Sequence, residues 1–334
     1  MKLDNCLHVL FCTLFFLFLL NSCSPTSAPY RKSEGLTQGT FYHITYQSDQ
    51  PLDSVIAAEL KRFDKSLNLF DSTSTISQVN RSAISNVAHD TLFLNVFNRS
   101  QQISKITNGV FDITVSPLVS LWGFNHAVRK EVTQTMIDSV MQFVGYEKIT
   151  IDENGNVSKS DPRVQIDCNA IAQGYSCDVM SDLFERYGLD NYLIEIGGEI
   201  RARGFNPNGT AWQVGITKPV DDTTGTNNAQ LQTVVPLSDR AICTSGNYHK
   251  FQIRGDKKIG HEIDPRTGHP AVTDMLSATV IAPDAMTADA LATACMVLGL
   301  NQSVSLIQSL TDVEAYFIFT TPSGSESFLE VKRK

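Results

Sequence analysis

Asp289 and Thr293 stand four residues apart in the run M-T-A-D-A-L-A-T-A that begins at Met286. On a helix that spacing puts a carboxylate and a hydroxyl on one face, where two hard oxygen donors can meet one hard cation. An aspartate near a helix start is also favoured by the helix dipole, so the pair alone leaves both readings open. A second segment, I-D-C-N-A-I-A-Q-G-Y from Ile166, is expected to end a strand at Asp167 and to open a helix near Ala170. Backbone groups become available to a ligand at such a junction, although Asp167 also suits an N-cap. Ile196-Gly197-Gly198-Glu199 joins two expected strands and lets backbone approach a ligand, as a plain hairpin turn would too. His261 precedes a Pro-x-x-Gly turn in H-E-I-D-P-R-T-G, where it is a general base or a strand-end residue bonding its own turn. Phe111, Trp122 and Phe124 offer flat surfaces to a flat ligand, but aromatics in such runs are more often core.

The elements that must hold these residues follow from periodicity. Apolar spacing predicts helices over 54–69, 95–107, 135–144, 170–187, 286–298 and 302–310, with Gly109, Gly188 and Gly299 as C-terminal stops. Strands are expected over 39–46, 192–196, 199–204, 212–216, 241–244, 249–254, 276–282, 313–319 and 327–332. Strands cluster in the second half without regular β-α alternation, which favours an α+β architecture with mostly antiparallel sheets flanked by helices. The polar segment 221–229 reads as an exposed loop. With 334 residues, 42% hydrophobic and 19% charged, the chain has enough apolar material for a substantial core. Its net charge of −8 provides no basic field for a nucleic-acid backbone, so nucleic acid is not an expected partner.

The N-terminus carries a second signal. Lys2 precedes an apolar run over 9–20, shorter than the ~20 residues that span a bilayer, and this reads as the core of a signal peptide. Leu20-Asn21-Ser22-Cys23 follows at once and resembles a bacterial lipobox, which makes 1–22 a signal peptide and Cys23 the lipidated first residue. Residues 23–34 read as a tether, and 35–334 as the folded domain. The mature protein is expected at the cell envelope, held by acyl chains and facing the periplasm, with inner and outer membrane both open. Cys168, Cys177, Cys243 and Cys295 form no C-x-x-C pair, and buried free thiols are their plainest reading.

Taken in order, the segments resemble the ApbE family of FAD:protein FMN transferases. The resemblance rests on G-T-F-Y at Gly39, S-x-I-S-x-x-N ending at Asn80, G-V-F-D-I-T at Gly109 and P-L-V-S-L-W-G-F at Pro117. It continues through I-D-C-N-A-I-A-Q-G-Y, I-G-G-E, T-S-G-N-Y at Thr244, H-E-I-D-P-R-T-G and A-D-A-L-A-T-A. It implies a bilobed, T-fold-like α+β protein that binds FAD in a cleft and uses Mg2+ to move FMN onto a threonine or serine hydroxyl of a target flavoprotein, releasing AMP. Carried over by position, the metal donors would be the Asp289 carboxylate, the Thr293 hydroxyl and the carbonyls of Ala170 and Ala292. FAD would contact Gln38, Phe70, Val110, Phe111, Asp112, Asp167, Gln173 and the region of Ile263. His261 would help to activate or orient the acceptor hydroxyl. The chain departs from the family pattern at Gln38, Phe70 and Gln173, where the family commonly has Met, Tyr, and Lys or Glu; a Phe can stack but cannot donate.

The same resemblance implies a partner in a respiratory redox complex of the Nqr or Rnf type. Two other activities fit similar residues. One is a Mg2+-dependent FAD pyrophosphatase, in which water replaces the acceptor hydroxyl; the other is a lipoprotein that binds flavin without turning it over.

Overall fold

A hairpin opens the fold: β1 (Tyr30–Thr37) pairs antiparallel with β2 (Thr40–Gln47), whose Tyr42, Ile44 and Tyr46 alternate inward as the pattern requires. In this computed structural model the described residues are 28–82, 84–124, 131–219, 230–247, 251–254 and 257–333. The expected signal peptide, Cys23 and the polar segment 221–229 lie outside them. The expected tether ends earlier than residue 34, because Tyr30 already begins a strand. Its ladder with β2 and the Arg31 side-chain bonds to the Ser48 and Asp49 carbonyls order a segment whose polar composition looked like linker.

After the hairpin come helices α1 (Asp53–Leu67), α2 (Thr75–Asn80), α3 (Thr91–Ile106), α4 (Ser116–Trp122) and α5 (Gln134–Met141). A short pair, β3 (Ile149–Ile151) and β4 (Val157–Lys159), leads to α6 (Ala172–Arg186). The strand-rich half then runs β5 (Tyr192–Ile196), β6 (Glu199–Arg203), β7 (Trp212–Thr217), β8 (Leu231–Leu237), β9 (Arg240–Gly246), β10 (Phe251–Arg254), β11 (Lys257–Gly260) and β12 (Met275–Ala282). Helices α7 (Ala285–Leu298) and α8 (Leu300–Ser309) and strands β13 (Glu314–Thr320) and β14 (Glu326–Val331) close the chain.

The main sheet has the order β1-β2-β5-β6-β9-β12-β13-β14, and its described pairings are all antiparallel. The α+β expectation therefore holds. Helices α6 and α7 cover one face of this sheet and pack on each other, with α1 and α3 outside them. The main core lies between: Ile44, Tyr192, Ile194, Val280 and Phe317 from the sheet meet Ile56, Phe93, Phe184 and Leu291 from the helices. Each such side chain, fully buried, contributes roughly 1.5–3 kcal/mol. The β7–β8 hairpin covers the opposite face of the central strands, where Trp212, Val214 and Leu237 pack on Ala202, Ile242 and Ile281. A third, smaller cluster joins α4 and α5 to Ile263. Among the described residues no helix is long and apolar enough to cross a membrane.

Candidate functional site between α6 and α7

Residues 284–289 show why Asp289 is not a helix-start aspartate. Asp284 caps α7 by accepting from the Thr287 N–H at 2.8 Å, and Asp178 of α6 accepts from the Ala285 and Met286 N–H groups at 2.9 and 2.8 Å. Two carboxylates already occupy the positive end of the helix, and Asp289 stands a turn further in with only 5% of its surface exposed. Its Oδ2 accepts from the Gly174 N–H at 3.1 Å. The approach of the two helices depends on that glycine, since a Cβ there would lie 2.3 Å from the Ala285 carbonyl oxygen and 2.8 Å from the Asp289 Cβ. Thr293, one turn on from Asp289, reaches the Ser245 hydroxyl at the end of β9 (3.3 Å).

Burial raises the Asp289 carboxyl well above the usual carboxylate range, and the Gly174 N–H offsets only part of that. The same desolvation raises Glu199 well above its ordinary value, and the Asp289 carboxylate adds to it. Glu199 is 8% exposed, and its Oε2 is buried without a hydrogen-bond partner. Burial without a partner favours the neutral form of such an acid. The described residues contain no group of three or more His, Cys, Asp or Glu able to hold a metal, so a cation here must rely on carboxylate, hydroxyl and main-chain oxygens. Those are the donors that Mg2+ prefers, and the residues fit that ion.

The remaining motif segments are stitched together near this helix junction. Asn80 exchanges two hydrogen bonds with the main chain of Ile166, and the Asp167 N–H donates to the Ile113 carbonyl at 2.7 Å. Asp167 does not cap α6: its Oδ1 accepts from the Asn169 N–H, a local turn, and the helix begins after Ile171 without a side-chain cap. Ala170 lies in that turn, with its side chain half-buried, and Ala292 is fully buried in α7. The Gly197-Gly198 turn has left-handed backbone at Gly197, and a Cβ there would meet the Gln173 Nε2 at 2.6 Å and Thr40 at 3.1 Å. Gln38 donates from Nε2 to the Ser176 hydroxyl at 2.7 Å, so β1–β2, the glycine turn and α6 meet at one place.

Several residues expected to contact the ligand also pack or bond within the protein. Val110 and Phe111 are buried in the main core and Ile263 in the small cluster, so what these three offer a ligand is main-chain. Asp112 accepts from the Thr114 N–H and hydroxyl and from the Tyr146 N–H, all at 2.7 Å; burial pushes its carboxyl up to about 6. Trp122 is core as well, and its Nε1 donates to the Gly268 carbonyl, which joins α4 to the 261–270 segment. Phe70 is 95% exposed, open to stacking. His261 is half-exposed, with Nδ1 3.3 Å from the Glu262 carboxylate and its ring edge-on to Phe124. The four cysteines are buried free thiols, as expected.

The residues missed in the sequence are Asp178, Ser245 and the carboxylate of Glu199. The only signal for Glu199 was a charged residue at an inward strand position, which needs the register to be seen.

Comparison with known proteins relates both the sequence and the fold of this chain to one family. The ApbE family model matches residues 38–317. A Haemophilus influenzae protein described as FAD:protein FMN transferase is 34% identical over 304 residues, covering 87% of this chain and 86% of its own. The solved flavin transferase ApbE from Vibrio cholerae superposes with a TM-score of 0.78 at 30% identity, covering 91% of this chain and 98% of that one. The apo Pseudomonas stutzeri flavinyl transferase ApbE gives 0.80 at 27% identity, over 93% and 97%.

Proposed function

This chain belongs to the ApbE family, and on that premise we propose that it transfers the FMN moiety of FAD to a hydroxyl of a target flavoprotein and releases AMP. The observation that carries the reading is Asp289, a buried carboxylate tied to Gly174 of the neighbouring helix with Thr293 one turn away. Asp289, Thr293 and the Ala170 and Ala292 carbonyls would hold Mg2+. When bound, that ion supplies neutralisation of pyrophosphate charge and stabilisation of the AMP leaving group.

The chain's own residues do the rest. Phe70 is free to stack on the isoalloxazine, and Gln173, Gln38 and the main chain of 110–112 border the flavin. The acceptor hydroxyl oxygen attacks the FMN phosphorus, the bond to the AMP oxygen breaks, and the hydroxyl proton passes to His261. Partly exposed, with Nδ1 3.3 Å from the Glu262 carboxylate, that imidazole can be reached by a protein substrate.

The acceptor we propose is a threonine or serine of a respiratory redox subunit of Nqr or Rnf type, met at the envelope surface where Cys23 would carry the lipid anchor. The test follows AMP release from FAD and Mg2+ with and without an acceptor domain. Release that depends on acceptor supports the transferase; equal release without it moves the assignment to FAD pyrophosphatase, and no release under either condition leaves a flavin-binding lipoprotein.

A further inference from the structure

Strand β11 ends at Gly260, and the chain bends at His261 before Ile263 bridges antiparallel to Pro270. The Glu262 carbonyl accepts from the Ala271 N–H at 2.8 Å, and the His269 carbonyl accepts from the Asp264 N–H at 2.9 Å, so the main chain of 262–264 is held by 269–271. Successive side chains along extended backbone point to opposite faces, yet the bend brings these two together: His261 Nδ1 lies 3.3 Å from Oε1 of Glu262. The other carboxylate oxygen, Oε2, lies over Gly260, where an added Cβ would be 2.5 Å from it and 3.3 Å from the Asn247 Cβ. A side chain at 260 would push the carboxylate aside. The Glu262 side chain is only 8% exposed, whereas that of His261 is 36% exposed, with its ring edge-on to Phe124. The acid is walled in behind an imidazole that stays open to solvent.

We propose that Glu262 is a positioning residue for His261: it holds the tautomer with the proton on Nδ1 and leaves Nε2 as the nitrogen that takes the proton of the acceptor hydroxyl. This rests on the reading of His261 as the proton acceptor. In a neutral imidazole one ring nitrogen carries the proton and the other a lone pair, and the partner of the first decides which is which. An ionised carboxylate can only accept, so an acid beside Nδ1 keeps the proton there. During transfer the acceptor oxygen bonds to the FMN phosphorus, the bond to the AMP oxygen breaks, and the hydroxyl proton moves to the Nε2 lone pair, while Glu262 takes no proton. General-base assistance contributes about 10²–10⁴-fold, so loss of the correct tautomer forfeits a measurable part of it.

The experiment measures FMN transfer by the full chain at saturating FAD, Mg2+ and acceptor for the native protein, Glu262→Met, His261→Ala and the double variant, with FAD affinity read alongside. Glu262→Met, close in size but without an acceptor for Nδ1–H, is expected to slow transfer by about tenfold or more and to leave FAD affinity within about twofold. In the His261→Ala background the same substitution is expected to cost nothing further, because its effect passes through the imidazole. An equal loss in both backgrounds, or no loss in Glu262→Met, overturns the role of Glu262 alone. Unchanged transfer in His261→Ala overturns the reading of the histidine itself. Should Glu262→Met fail to fold, nitrogen NMR of the native chain at about pH 8, where an imidazole is ordinarily neutral, decides, with the His261 signal assigned by its loss in His261→Ala. A ring protonated at Nδ1 supports the role of Glu262, and one protonated at Nε2 contradicts it.

Discussion

The main-chain N–H of Gly174 donates to Oδ2 of Asp289 at 3.1 Å, joining α6 to α7. An added Cβ at Gly174 would collide with the Ala285 carbonyl, which is backbone and cannot swing away. In an exposed helix interior, Gly→Ala normally stabilises by about 1 kcal/mol. Here the sign reverses: Gly174→Ala is expected to destabilise by about 1–3 kcal/mol and to impair divalent-ion binding. Urea unfolding and Mn2+ titration check both, and a stabilised variant would contradict the close packing.

Asp289→Asn keeps the side-chain shape and an acceptor for the Gly174 N–H but removes the charge. AMP release should fall by at least about 100-fold, roughly 3 kcal/mol of lost transition-state stabilisation. The melting temperature in EDTA should hold or rise, because the variant no longer buries an ionisable acid. Unchanged turnover in the folded variant would remove Asp289 from the metal site.

Phe70 supports no core, being almost wholly exposed. Phe70→Ala is therefore expected to leave thermal stability unchanged while weakening FAD binding by about tenfold, in line with ~1 kcal/mol or slightly more for one aromatic contact. Fluorescence titration with FAD reads the effect, and unaltered affinity would place the flavin elsewhere.

Burial pushes the carboxyls of Asp112 and Asp178 up to about 6 and about 7. Between the unfolded aspartate value of ~3.9 and those values the folded chain binds more protons than the unfolded chain, so stability falls as pH rises across that window and levels off above it. Asp71 and Asp161, shifted downward by Lys65 and Arg163, act in the opposite sense only at more acid pH. In EDTA, the urea midpoint at pH 5 should exceed that at pH 8; the reverse order would contradict the burial of these two acids.

How much of this was legible in the sequence depended on whether the signal was local. The helix α7 and its stop were readable, since apolar spacing ends at Gly299, whose left-handed backbone only glycine adopts readily. Helix α4 was not, because seven residues rich in large apolar side chains have too short a period to separate helix from core strand. Strand β1 was hidden by polar residues that owe their order to the β2 ladder. At the site, the Asp289–Thr293 spacing could be read, but the choice between surface acid and buried anchor needed Asp178 and Asp284 in place at the helix start. Asp167 offered a cap by type and makes a local turn instead. Glu199 was visible only as part of a glycine turn, since its burial beside Asp289 is a tertiary fact between residues 90 positions apart.

The central claim is tested most directly by the mass of an acceptor protein after incubation with this chain, FAD and Mg2+. The account predicts that the acceptor gains one covalently bound FMN, that AMP appears in equal amount, and that replacing the acceptor hydroxyl residue by alanine prevents both. An acceptor of unchanged mass alongside full AMP release would contradict transfer to protein.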